Sequence, residues 1–158
     1  SQVVAKTLEK WERIDILINN AGFPLTAKYW DSSFDLLSIE DYQNVINVDL
    51  MGSIRCCKKI IPLMKRNKYG SIVNISSTPA LSGHDLGAPY TIAKAGILGL
   101  TKHLAKEYGK YNIRVNGVNA DRIQSGILTN DLISKRAKAR NTTKEKYLKN
   151  NLLTNNNS

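Results

Sequence analysis

Three short apolar runs, separated by long stretches of helical periodicity, constrain this chain more than any other feature. They are Ile-Asp-Ile-Leu-Ile at 14–18, Ser-Ile-Val-Asn-Ile at 71–75 and Ile-Arg-Val-Asn-Gly-Val at 113–118. Each has strand length and is rich in β-branched residues. The first two are nearly continuous, the pattern of strands buried on both faces. Residues 2–12 read as the tail of a helix with Val3, Val4, Leu8 and Trp11 on its apolar stripe. Ser38-Ile39-Glu40-Asp41 resembles a capping box opening a long helix to about residue 65. A second long helix is expected over 90–108, with Gly109 as its C-terminal stop. Strands alternating with helices imply right-handed crossovers and a parallel sheet, so the fold class is α/β. Ligands of such sheets bind beyond the carboxyl ends of the strands. Asn19-Asn20, Ser76-Ser77 and the segment 119–125 all fall at those ends.

Tyr90 and Lys94 share one helical face, four residues apart. Pro89 suits the first turn, where its missing N–H costs nothing, and this places Tyr90 near the positive end of the helix dipole. Both neighbours favour phenolate, so the phenol is expected to titrate well below its usual pKa of about 10. Such a tyrosine exchanges protons with an alcohol or carbonyl oxygen near neutral pH. Taken alone, the spacing favours a solvated helix face over a functional pair.

Bulk properties narrow the classes. The 158 residues suffice for one domain with a real core, and the hydrophobic content of 42% is ordinary. No apolar run is long enough to span a membrane, and no basic-then-apolar leader opens the sequence. The adjacent Cys56 and Cys57 suit free thiols in a reducing, cytoplasmic setting better than a disulfide. Two histidines without a spaced Cys/His/Asp cluster offer no metal site. The net charge of +10 is a footprint seen in nucleic-acid binders, but the lysines are scattered and no recognition motif accompanies them. No nucleic-acid partner is therefore expected. Segments 131–140 and 143–150 are helical and basic, and the Asn-rich end at 150–158 reads as loose.

With these elements placed, the sequence resembles the short-chain dehydrogenase/reductase family over roughly residues 2–125. Asn19-Asn20-Ala21-Gly22 matches the family's Asn-Asn-Ala-Gly motif after a strand. Residues 70–77 match the strand ending in the catalytic serine, Tyr90-Thr91-Ile92-Ala93-Lys94 the tyrosine–lysine helix, and Ile113-Arg114-Val115-Asn116 the next strand. Four motifs in the right order are far more specific than any one of them. The resemblance implies a partial Rossmann-like, doubly wound parallel sheet, with three of the family's strands and flanking long helices. Residues 1–128 would be the central part of a dinucleotide-binding domain, and 129–158 a basic helical region on the substrate side. It implies an oxidoreductase using NAD or NADP on a small-molecule carbonyl or secondary alcohol, as a homodimer or homotetramer when complete. Ser77 would hydrogen-bond the substrate oxygen, Tyr90 would be the acid/base, and Lys94 would lower its pKa and hold the nicotinamide ribose. Asn20, Ala21 and Gly22 would lie beside the cofactor, as would Ile123 and Ser125 after the third strand. Plain alternatives stand next to these roles: Ser76 or Ser77 as a strand end, Asn19 and Asn20 as turn residues.

Three departures qualify the resemblance. Val48-Asp49-Leu50-Met51-Gly52 puts Asp49 where the family's fourth catalytic residue is an asparagine; Asp49 is either a surviving relay member or an ordinary helix carboxylate. Ala120-Asp121-Arg122-Ile123-Gln124-Ser125 replaces the family's Pro-Gly-x-Ile-x-Thr. The family's glycine-rich turn for the pyrophosphate does not occur in these 158 residues. The expectation is a piece of a longer enzyme, inactive in isolation. The competing expectation is a family member that kept the fold as a binding or scaffold protein and lost turnover.

Overall fold

The computed structural model describes residues 2–24, 28–121 and 129–151. Helix α1 (Gln2–Trp11) leads into β1 (Ile16–Asn19), and the 29-residue helix α2 (Ile39–Asn67) leads into β2 (Gly70–Ser77). A short α3 (Pro79–Ser82) and the long α4 (Ala88–Tyr108) precede β3 (Ile113–Ala120), and α5 (Asn130–Ala139) and α6 (Lys144–Asn151) follow. The strands form one parallel sheet in the order β1-β2-β3, with Leu17 beside Ile72 and Ile72 beside Val115. This is the expected α/β arrangement. The loop expected before residue 38 contains two short 3-10 turns, Lys28–Trp30 and Phe34–Leu36.

Local chemistry sets the helix ends. Ser38 caps α2 by accepting from Asp41 N–H at 3.2 Å, while the Asp41 carboxylate accepts from Ser38 N–H at 3.0 Å. This reciprocal pair satisfies two donors that the first turn leaves free. Lys68 ends α2 in the left-handed conformation. The helix α4 stops at Tyr108 with Gly109 as its C-cap, as expected. Gly109 stays right-handed and continues into a 3-10 turn, and Asn112, at φ 59°, is the left-handed residue that redirects the chain into β3. Asparagine tolerates that region nearly as well as glycine.

Both crossovers run in the same direction along the sheet, so α2 and α4 lie side by side on one face. Cys57, Ile60, Ile61 and Met64 of α2 and Leu104 of α4 pack there on Ile72, Ile113 and Val115. The opposite face corrects an expectation. β1 is not buried on both sides: Ile16 and Ile18 are 63% and 60% exposed, because no described element covers them. The stripe of α1 is likewise only partly used, with Val4 against the core while Val3 and Trp11 face solvent.

Within the apolar layer runs a chain of side-chain hydrogen bonds. Asn19 Nδ2 donates to Asn74 Oδ1 at 2.8 Å, and Asn74 Nδ2 donates to Thr101 Oγ1 at 2.9 Å. Thr101 in turn donates to the Ile97 carbonyl at 2.8 Å. Asn74 is fully buried, so its amide must be paired by protein groups. The chain pins the carboxyl ends of β1 and β2 to α4. Asn74→Ala would strand the Asn19 donor and the Thr101 acceptor, and should lower stability by about 2–3 kcal/mol in urea unfolding. An unchanged midpoint would show that the network carries no weight.

Candidate active site

Strand ends and helix starts bring the expected residues together. β2 delivers Ser76 and Ser77 at its carboxyl end, with opposite fates because successive side chains alternate faces. Ser76 turns towards the helices and donates to the Lys94 carbonyl at 2.9 Å, a structural contact. Ser77 turns towards the cleft and donates to the Ala120 carbonyl at 3.0 Å. Tyr90 sits in the first turn of α4, behind Pro89, as its sequence context predicts. Lys94 lies one turn on, its Nζ 5.5 Å from the Tyr90 ring centroid and donating to the Ile75 carbonyl at 3.0 Å.

Asp49 joins them from α2. Its carboxylate lies 3.2 Å from Lys94 Nζ, and both side chains are almost completely buried. The other carboxylate oxygen accepts from Phe23 N–H at 2.7 Å, anchoring the loop after β1. Gly22 passes close by: a Cβ there would stand 3.4 Å from Asp49 Oδ2 and 3.8 Å from Lys94 Nζ. Asn20 and Ala21 are exposed at the carboxyl end of β1, facing open space at the mouth. Ile123 and Ser125 lie outside the described residues. Thr78 donates to Asp121 at 2.9 Å, closing the end of β2 against the end of β3. Among the described residues no three metal-ligating side chains come together. Nor is any described helix long and apolar enough to cross a membrane.

The phenol corrects the electrostatic expectation. Burial pushes the Tyr90 pKa above its ordinary value; Ser77 draws it back, Asp49 pushes it up, and Arg136 draws it down. The indole of Trp30 packs against the Tyr90 ring, centroids 3.8 Å apart and planes tilted by 54°, and contributes to that burial. Trp30 is fixed by its own donor, Nε1 to the Pro24 carbonyl at 2.7 Å.

Sequence reasoning missed this wall and the latch beside it. Arg140 of α5's C-terminal end places its guanidinium 2.9 Å from Asp31 and 3.1 Å from Asp85. Asp31 follows Trp30, and Asp85 belongs to the loop between Ser77 and Tyr90. One cation therefore ties the C-terminal helices to both rims of the cleft. Burial works against the Arg140 charge, but the two carboxylates hold its pKa above the usual value. Ile133, Ala137 and Tyr147 form a small core beneath it. Asp31 and Asp85 lie 109 and 55 residues from Arg140, and a single sequence does not connect them.

Gly87 makes the wall possible. It has φ +71°, and a Cβ there would lie 2.9 Å from the Trp30 carbonyl oxygen. Gly87→Ala should cost about 1–3 kcal/mol and release the indole, seen as a lower thermal midpoint with a red shift of tryptophan emission. Tyr90 carries a pH signature of known sign. Its neutral form is favoured in the folded state, so its contribution is complete below about pH 10, where free phenols titrate, and is lost as pH rises through the raised value. Urea midpoints taken across that alkaline range should fall less steeply in Tyr90→Phe than in the parent protein.

Comparison with known proteins agrees with this geometry. Residues 1–136 match the short chain dehydrogenase family. The chain is 39% identical over 117 residues to a 3-oxoacyl-acyl-carrier-protein reductase of Synechocystis sp., covering 74% of this chain and 45% of that protein. It is 40% identical over 117 residues to the corresponding reductase FabG of Thermotoga maritima, covering 74% and 46%. Among solved structures, an NAD+-bound xylitol dehydrogenase superposes with a TM-score of 0.79 at 26% identity, covering 87% of this chain and 52% of that one. A short-chain dehydrogenase from Streptomyces avermitilis gives 0.72 at 26% identity, covering 79% and 44%. This chain thus spans about half the length of the relatives it matches. With its motifs in order and its Rossmann-like sheet in register, the chain belongs to the short chain dehydrogenase family.

Proposed function

We propose that the protein carrying this chain is a nicotinamide-dependent oxidoreductase, interconverting a small-molecule carbonyl and a secondary alcohol, with Tyr90 as the proton-exchanging group. The observation that supports it is the convergence of Ser77, Tyr90 and Lys94 at the carboxyl end of β2, each held by an independent contact. Ser77 stands near enough to the Tyr90 phenol to draw its pKa down, so both hydroxyls can meet one substrate oxygen. In carbonyl reduction Tyr90 gives its proton to that oxygen, and in alcohol oxidation it takes one back. Its raised pKa suits the donor role at neutral pH. Ser77 steadies the developing charge on the oxygen by donating to it. Trp30 keeps water from the phenol and offers a flat apolar surface to the substrate.

The donor set fits the nicotinamide–ribose end of NAD or NADP. Lys94 presents an ammonium beside the exposed backbone of Asn20, Ala21 and Gly22, where Gly22 lets a ligand approach the main chain closely. When bound, that cofactor supplies or accepts the hydride. We assign Ile123 and Ser125 to the same side of the cleft by their place after β3, and residues 129–158 to the substrate side, where Arg140 joins the cleft rims. The carbonyl and alcohol chemistry named for the relatives agrees with this substrate class. The apolar positions Val48 of α2 and Ile92 of α4 are exposed on the paired long helices and suit a homodimer or homotetramer. Both cysteines are free, in keeping with a cytoplasmic protein. A scaffold role draws no support from a site whose three reactive side chains are all positioned.

The test is nicotinamide absorbance with a panel of alcohols, ketones and 3-oxoacyl thioesters, using the complete protein. Turnover is expected, and Tyr90→Phe should lower kcat by about a hundredfold to ten-thousandfold while leaving cofactor binding intact. Equal turnover by Tyr90→Phe would remove Tyr90 from the mechanism.

A further inference from the structure

Asp49 is a buried charge that proton exchange by Tyr90 does not itself need. It is 1% exposed, and Lys94 is 5% exposed. Asp49 Oδ1 is satisfied by Phe23 N–H at 2.7 Å. Oδ2 receives no directed hydrogen bond, and its contact is the Lys94 ammonium at 3.2 Å, an ion pair in the strict sense. An asparagine in this place would offer the same acceptor to Phe23 without the charge. The Asp49 main-chain carbonyl is meanwhile occupied by the Ser53 hydroxyl at 2.9 Å.

We propose that Asp49 is a positioning residue whose carboxylate holds the Lys94 ammonium against the Gly22–Phe23 loop as a neutral pair, leaving the lysine little net field at the Tyr90 hydroxyl. The proposal deepens the reading of Tyr90 as the proton-exchanging group and rests on it. The physics is that of a dipole against a monopole. A bare ammonium beside a phenol in a partly dry cleft acts as a full charge, whereas a cation and an anion in contact largely cancel at any distance beyond their own separation.

The direction found at Tyr90 agrees: burial leads, and Asp49 pushes the same way. The other groups facing the phenol are accounted for element by element. β2 contributes the uncharged Ser77, the 3-10 turn at Lys28–Trp30 contributes the uncharged indole, and α5 contributes Arg136, which pulls the phenol down. The pair thus trades catalytic field for order. It fixes Lys94 Nζ between the Ile75 carbonyl and Asp49, and it fastens the loop after β1 to the α2–α4 pair.

The experiment is a tyrosinate absorbance titration of the complete protein without cofactor, with Tyr90 isolated by subtracting the same titration of each protein carrying Tyr90→Phe. In Asp49→Asn the Tyr90 component should move to lower pH, giving about tenfold more phenolate at a given pH on the rising limb. In Lys94→Gln it should move to higher pH. In the double variant it should return close to the parent, the signature of two charges that cancel. An unmoved Tyr90 in Asp49→Asn, or a double variant that stays with Lys94→Gln, would overturn the proposal. Should Asp49→Asn alone fail to fold, comparing the double variant with Lys94→Gln reads the same charge. No cofactor or substrate enters this titration, so a protein that turned over no nicotinamide would defeat the proposed activity and leave this result readable.

Discussion

The site depends on how closely α2 and α4 approach each other. Gly96 sets that distance: a Cβ there would lie 2.6 Å from Leu50 Cδ2, so the helices meet through a missing side chain. Asp49 precedes Leu50, and Lys94 lies two residues before Gly96, so the same contact that joins the helices brings the carboxylate to the ammonium. Close packing of long helices on one face of a parallel sheet is a steric matter, settled by small residues at the crossing. Here it also decides which charges can touch. The geometry of the proposed site is thus a by-product of core packing.

Strand ends are held by polar groups for a related reason. A parallel sheet offers an apolar interior, yet residues at its carboxyl edge must face a polar ligand. The Asn19–Asn74–Thr101 chain fixes that edge from inside the apolar layer, where each unpaired amide would be costly. Because side chains alternate, Asn74 and Ser76 face the helices while Ser77 faces the cleft. One register therefore assigns the interior lock and the exposed hydroxyl together, and a slip by one residue would exchange them.

Much of this was legible in local pattern. The three strands, the Ser38 cap, Pro89 in the first turn of α4, and the approach of Ser77, Tyr90, Lys94 and Gly22 follow from spacing and from the resemblance those motifs carry. What could not be read was relational. Asn74 stands alone in an apolar run, and its partners lie in two other elements. Trp30 drew no reading from the sequence, although it packs against the Tyr90 ring. Arg140 was one of many cations in a basic segment, yet it bridges carboxylates more than fifty residues away in sequence. Gly109 does cap α4, but the left-handed residue that turns the chain into β3 is Asn112, after a short 3-10 turn. The apolar face of β1 had the composition of a buried strand, but burial requires a covering element as well as a willing sequence.

The charge at Asp49 shows why a matched motif does not transmit its electrostatics. Tyr-x-x-x-Lys predicts an ammonium beside a phenol, and that ammonium is present. Its effect depends on a third residue from another helix and on an indole from a turn, both of which oppose a free phenolate. Desolvation by Trp30 favours the neutral phenol, and Asp49 cancels much of the cation that would offset it. A tyrosine held neutral is a ready proton donor and a reluctant base. If Tyr90 exchanges protons as proposed, the arrangement favours protonation of a carbonyl oxygen over deprotonation of an alcohol near neutrality, with Ser77 and Arg136 as the groups that moderate the imbalance.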